Sequence, residues 1–220
     1  MKQRLMTLAD SRLCCIASGP GFKGPEATAN ACCEGGVDIL QLREKNLPSR
    51  ELINLARRLK VICAQYGALL IINDRVDVAL AAEAHGVHLG QNDLPIAVAR
   101  TILGHGRLIG ISAHSVAEAL QAQAAGADYV SCGPLWATPT KPDYAPVGLV
   151  LIEQYKRTIR IPFFAIGGID AVNIDQVLSA GAERIAVVRA VWNAPDPRAA
   201  ASELKRQIQN IRVEVVPIGG

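Results

Sequence analysis

The polar residues that could carry chemistry stand in short clusters, each at the end of an apolar run. Gln41-Leu42-Arg43-Glu44-Lys45 closes the second of eight such runs. If that run is a strand, alternation puts Gln41, Arg43 and Lys45 on one side, with two positive charges among them. Asn73-Asp74-Arg75 closes the third run, and the fourth leads into Gln91-Asn92-Asp93. Carboxylates on neighbouring strand ends can share a hard cation. Oxygen ligands suit Mg2+, which keeps waters and takes further ligands from phosphate. An Asp after a strand can equally cap a helix. The pair, beside Arg43 and Lys45, favours a metal-diphosphate site held by Asp74 and Asp93.

The remaining clusters extend the same chemistry. Ser112-Ala113-His114-Ser115 ends the fifth run, and the sixth feeds a loop containing Thr138, Thr140 and Lys141. Two hydroxyls and an ammonium in a proline-stiffened loop offer several donors at limited entropic cost. Gly167-Gly168 and Val188-Arg189 end the seventh and eighth runs. Loops at those places in α/β barrels commonly cradle phosphate on backbone N–H groups. Arg43, Lys45, Lys141 and one Mg2+ bring about +5 against about −2 from the two carboxylates, leaving about +3 to meet a diphosphate. The glycine cradle would take a second phosphate. No Ser-His-Asp set, catalytic thiolate or Schiff-base lysine stands out. Metal and cations without a nucleophile point to stabilisation of a diphosphate leaving group.

These clusters need a scaffold that gathers strand ends. The apolar runs are Leu13 to Ala17, Val37 to Leu42, Ala68 to Ile72, Gly86 to Leu89, Leu108 to Ile111, Tyr129 to Cys132, Phe163 to Ile166 and Ile185 to Val188. Each has strand length. Helix-like segments lie between them, such as Ser49 to Gln65 with Leu52, Leu55, Ala56, Leu59 and Ile62 at helical spacing. Ser115 to Glu118 has the form of a capping box. Pro197 to Ile208 reads as a closing helix and Lys2 to Arg12 as a short leading one, with 211–220 as a C-terminal tail. Eight β/α units predict an α/β, single-domain (β/α)8 TIM barrel over 1–220; a doubly wound open sheet is the alternative. Gly35-Gly36-Val37-Asp38, Ala84-His85-Gly86-Val87, Ala125-Gly126-Ala127-Asp128 and Ala180-Gly181-Ala182-Glu183 recur where a helix hands over to a strand. There glycine can take the left-handed conformation that ends a helix. The long polar loop, 134–146, follows the sixth strand at the end where barrels carry out chemistry.

Composition sets further limits. Aromatics make up only 4% of the chain, so the core must be built from Val, Ile, Leu and Ala. A net charge of +3 gives no ground for nucleic acid or a membrane surface as partner, but tolerates anionic small molecules. The six cysteines form no Cys-x-x-Cys and meet no His cluster, so buried thiols in a reducing cytoplasm are expected. Cys132 is expected nearest the mouth. Neither a signal-peptide core after Met1-Lys2-Gln3-Arg4 nor a membrane-length apolar stretch is found. A homo-oligomer is compatible with all of this.

Gln41-Leu42-Arg43-Glu44-Lys45, Asn73-Asp74-Arg75-Val76-Asp77, Gly86-Val87-His88-Leu89-Gly90-Gln91, Thr138-Pro139-Thr140-Lys141 and Ala165-Ile166-Gly167-Gly168-Ile169 occur in that order. Together they resemble the thiamine-phosphate synthase family from about Gly35 to Arg189. The resemblance implies that Gln41, Arg43, Lys45, Asn73, Ser112 and Lys141 bind hydroxymethylpyrimidine diphosphate. Arg43, Lys45 and Lys141 would assist its departure, and Asp74 and Asp93 would hold Mg2+. Thr138, Thr140, Gly168, Val188 and Arg189 would bind the thiazole phosphate. The family reaction is dissociative: diphosphate leaves, and the thiazole nitrogen captures the pyrimidine-methyl cation. Two positions depart from the family pattern. Ile16-Ala17-Ser18-Gly19 stands where an aromatic and a Thr-Asp ending are common. Arg189 stands where many relatives have Ser, and either its side chain or only its backbone would meet phosphate. Rival readings are a related thiazole tautomerase, for which His114 would matter, a vestigial phosphate-ligand binder, and a phosphosugar isomerase barrel. Otherwise His114 reads as packed or capping.

Overall fold

Eight parallel strands close on themselves: Leu13–Ala17 (β1), Ile39–Leu42 (β2), Leu69–Asn73 (β3), Gly86–Leu89 (β4), Leu108–Ile111 (β5), Tyr129–Cys132 (β6), Phe163–Ile166 (β7) and Ile185–Val187 (β8). This is a computed structural model, and it describes residues 7–138 and 145–210. The helices are Pro25–Glu34 (α1), Ser49–Tyr66 (α2), Val76–Ala81 (α3), Ile96–Leu103 (α4), Val116–Ala124 (α5), Val150–Thr158 (α6), Ile174–Ser179 (α7), Arg189–Trp192 (α8) and Pro197–Asn210 (α9). β1 pairs with both β2 and β8, so the sheet is a barrel and the open-sheet alternative is set aside. No described helix is long and apolar enough to cross a membrane.

Strand alternation divides the apolar residues into two layers. Leu13, Cys15, Leu40, Leu70, Val87, Ile109, Val130 and Ile185 face outward and pack with the helices. Cys14, Ile16, Ile39, Leu69, Ile71, Tyr129, Phe164 and Ala186 fill the lumen. The helices supply the matching stripe, as in α2 with Leu52, Leu55, Ala56, Leu59 and Cys63 buried. Alternation also corrects one expectation. Cys132 is fully buried on the helix side, and Cys14 is the thiol that reaches the lumen. Burial, as the main cause, pushes both thiols up to about 12. All six cysteines are free and buried.

The helix-to-strand turns repeat as expected at three places, with Gly36, Gly126 and Gly181 all at positive φ. At the remaining one the phrase is Ala82-Glu83-Ala84-His85, two residues before the expected one. Glu83 is the left-handed residue there, and Gly86 already belongs to β4. The frame follows from what the fourth position does. Asp38 accepts the Arg12 and Leu13 N–H groups at 2.7 and 2.9 Å, His85 Nδ1 the Leu70 N–H at 2.9 Å, and Asp128 the Ile109 N–H at 2.7 Å. Each satisfies a backbone donor at the bottom of the strand before it. Asp38 also pairs with Lys205, fastening α9 to the barrel.

Of the leading helix expected over Lys2 to Arg12, residues 1–6 lie outside the described residues. Thr7–Asp10 is a turn, closed by the Thr7 hydroxyl on Asp10 at 2.6 Å, and Leu8 packs against the lumen from below. The 211–220 tail also lies outside the described residues. The capping box forms with a one-residue shift. Ser115 Oγ accepts the Glu118 N–H at 3.2 Å, but the Glu118 carboxylate takes the N–H of His114 at 2.6 Å.

Space inside the lumen is set by small residues. A side chain at Gly110 would run into the Tyr129 ring, which crosses the lumen and meets Phe164 edge-on at 5.5 Å. Gly110→Ala should therefore lower stability by about 1–3 kcal/mol through overpacking. Urea denaturation checks this, and an unchanged midpoint would mean that the ring does not fill that space.

Candidate active site

At the C-terminal mouth of the barrel a cavity of about 370 Å³ opens among residues from seven of the eight strands, with β5 contributing through Ser112 and His114 just beyond its end. Eight of the residues singled out from the sequence line it: Gln41, Arg43, Asn73, Ser112, Thr138, Gly168, Val188 and Arg189. Lys45, Asp74 and Asp93 do not line it. Thr140 and Lys141 lie outside the described residues.

Each wall follows from its strand. Gln41 is the last inward position of β2 and is buried; its amide donates to Asn73 Oδ1 at 2.8 Å. Arg43 is two residues further on, at the surface of the mouth. Its backbone N–H continues the ladder to Ala17 O at 2.8 Å, and its guanidinium donates to Ser18 Oγ at 3.2 Å. Ser18, at the unusual ending of the first strand, thus orients Arg43. Gly19 is held from two sides, by Glu44 on its N–H at 2.6 Å and by the Trp192 indole on its carbonyl at 3.1 Å.

The opposite wall is backbone. Gly167 and Gly168 have φ of 104° and 70°, and side chains there would strike Pro134 and Trp136. Both the conformation and the space demand glycine. The base of the 134–146 loop is tied to this turn, with Leu135 N–H on Ile166 O at 2.9 Å and Trp136 N–H on Gly167 O at 3.2 Å. Val147 N–H on Pro134 O at 2.9 Å returns the chain to the same place. Val188, Arg189 and Ala190, at the end of the neighbouring β8, line the cavity next to this turn, and Arg189 is exposed.

The two carboxylates meet beside the cavity. Asp74 follows β3 with φ 62°, and its N–H donates to His88 O at 2.8 Å. Asp93 lies in the turn after β4 and accepts the Gly90 N–H at 2.6 Å. The Asp93 carboxyl is close enough to act on that of Asp74. Burial first, then the bond to and charge of Asp93, raise the Asp74 pKa to about 6 against the pull of Lys45 and Arg43. Two carboxylates this close disfavour joint ionisation, which a proton or a cation relieves. Among the described residues no group of three or more His, Cys, Asp or Glu is placed to hold a metal. The donor set fits Mg2+ that draws its other ligands from phosphate and water.

Sequence reasoning gave no role to His88, Tyr129 and Ser131, which also line the cavity. They sit inside strands, where a polar residue reads as a satisfied core group. Inward parity with Gly86 and Gly133 was the available signal. His114 lines the cavity as well, and its Nδ1 lies 2.5 Å from Gly133 O.

The family model described as thiamine monophosphate synthase matches residues 14–191. A thiamine-phosphate synthase of Gloeobacter violaceus is 54% identical over 162 residues, covering 74% of this chain and 48% of that protein. One from Nostoc sp. is 46% identical over 212 residues, covering 96% of this chain and 60% of that protein. This chain thus spans about half to three fifths of the length of these curated relatives. The solved thiamine phosphate pyrophosphorylase from Pyrococcus furiosus superposes with a TM-score of 0.84 at 38% identity, covering 91% of this chain and 96% of that one.

The Asp74 pair has a pH signature. The folded protein holds the Asp74 proton more tightly than the unfolded chain, so this contribution to stability is complete below about pH 4 and lost as pH rises through about 6. With divalent cations removed, Asp74→Asn should escape that loss. Asn lacks the charge and tolerates positive φ. Above pH 6 the variant should gain about 1 kcal/mol over the parent, after discounting for solvent screening. Thermal melts from pH 4 to 8 check this. Parallel Tm profiles would show that the carboxylates do not interact.

Proposed function

Because the chain belongs to the thiamine monophosphate synthase family, we propose that it condenses hydroxymethylpyrimidine diphosphate with hydroxyethylthiazole phosphate to give thiamine phosphate and diphosphate. The observation that carries this reading is the juxtaposition at one mouth of a carboxylate pair, a cationic strand end and a glycine turn.

Arg43 and Lys45 would bind the diphosphate beside Asp74 and Asp93. Lys141, outside the described residues, is proposed as a third cation. Bound Mg2+ would neutralise the charge that builds on the diphosphate. Gln41, Asn73 and Ser112 would orient the pyrimidine. The C–O bond then breaks with its electron pair going to the diphosphate oxygen, and the thiazole nitrogen lone pair forms the new C–N bond. That nitrogen carries no proton, so no base is required. Thr138, Thr140, Gly168 and the backbone at Val188 and Arg189 would hold the thiazole phosphate across the cavity. Positioning and electrostatic stabilisation supply the acceleration in such a scheme. A tautomerase would have no use for the carboxylate pair. Six buried free thiols suit a reducing cytoplasm, which we take as the setting.

Purified protein mixed with both substrates should form thiamine phosphate only when Mg2+ is supplied. Product that is equally abundant in excess chelator would overturn the metal assignment, and no product at all would overturn the reaction. Asp93→Ala should fold normally by circular dichroism and lose about a hundredfold or more in turnover. Lys141→Ala should slow the single-turnover step, and an unchanged rate would remove Lys141 from the site.

A further inference from the structure

His88 bridges two hydroxyls inside the barrel. Its Nδ1 lies 3.2 Å from the Tyr129 hydroxyl and its Nε2 3.1 Å from Ser112 Oγ. All three residues are buried, at 7%, 4% and 6% exposure for His88, Tyr129 and Ser112. A neutral imidazole has one N–H and one lone pair, so the two contacts run in opposite senses.

Tyr129 decides which sense. Its ring is wedged against Phe164 in the lumen, and His88 Nδ1 is the only hydrogen-bond partner of its hydroxyl among the described residues. Burial raises the phenol pKa well above its ordinary value, so the O–H stays protonated. A buried O–H without an acceptor is costly, so Nδ1 serves as that acceptor. The ring proton then sits on Nε2 and points at Ser112 Oγ. One lone pair of Ser112 is taken, so its hydrogen is directed to a partner other than the imidazole, and Ser112 lines the cavity.

We propose that Tyr129 and His88 are positioning residues that fix Ser112 as a hydrogen-bond donor to the pyrimidine diphosphate. The inference rests on the reading of Ser112 as a substrate contact. The opposite tautomer would draw the Ser112 hydrogen onto His88 and present a lone pair to the acceptor atoms of the substrate. Ser112 would then have no hydrogen to give to a diphosphate oxygen or a ring nitrogen.

Ring-nitrogen NMR of the full 15N-labelled chain tests the tautomer without any need for activity. His88, identified by the signals lost in His88→Gln, should show an unprotonated Nδ1 and a protonated Nε2. Tyr129→Phe keeps the ring and should shift both toward a mixture. A protonated Nδ1 in the parent, or unmoved signals in Tyr129→Phe, overturns the proposal. In turnover, Tyr129→Phe should lower kcat about tenfold, the scale of one misdirected hydrogen bond, with the KM for thiazole phosphate unchanged. It should cost nothing further in a Ser112→Ala background. An undiminished kcat, or an equal loss in both backgrounds, also overturns it. His88→Gln, whose amide can accept from Tyr129 and donate to Ser112, should retain more activity than His88→Leu. If the parent forms no product, the reaction itself is wrong and the ring signals alone decide the tautomer.

Discussion

Pairing of β1 with β8 is the constraint on which everything else depends. Once the ladder closes, every second residue of every strand is committed to a lumen with little room and no bulk water. Apolar groups are welcome there, and the lower lumen is filled by Ile39, Leu69, Tyr129 and Phe164. Polar groups are tolerated only in mutually satisfied sets. Two such sets are Gln41 with Asn73, and His88 with Ser112 and Tyr129, while Ser131 faces the cavity itself. The polar layer faces the mouth because only there can a ligand complete its bonding.

The rim obeys different physics. Asp74 and Asp93 stand at partly exposed turns, where their repulsion is eased by protonation or by a cation, and Lys45 and Arg43 moderate it without cancelling it. The left-handed backbone at Asp74 is a further local cost. Strain and like charge thus meet where two neighbouring turns approach, and a proton or a cation would relieve the charge. The glycine turn at 167–168 has the complementary character. It has no side chains, and its backbone is held open by the close approach of Pro134 and Trp136.

Most of this architecture was legible in the residues. All eight strands were expected where they lie, because short Val- and Ile-rich runs separated by helical stripes leave few alternatives. Boundaries moved where backbone geometry intervened. β2 starts at Ile39 rather than Val37 because Gly36 is left-handed and the Val37 N–H is still bonded to α1. Residues beyond strand ends were readable as a candidate site because charge there is unusual. His88 and Tyr129 were not, since a polar residue within an apolar strand reveals its partners only when the barrel curvature brings alternate strands together. The face taken by Cys132 was not legible either: nearness to the mouth along the chain does not say which side of the strand a side chain takes.

The grip of Asp38 on Lys205 concerns more than the stability of α9. With the Thr7–Asp10 turn beneath the lumen, and Ile208 and Gln209 beside Asp10 and Arg12, the described chain enters and leaves at the floor of the barrel. The cavity is at the opposite end. A segment joined to either end of the described chain would start from the floor of the barrel, away from the cavity. The fold can thus be extended without being redesigned, in keeping with relatives whose matching part makes up about half to three fifths of their length.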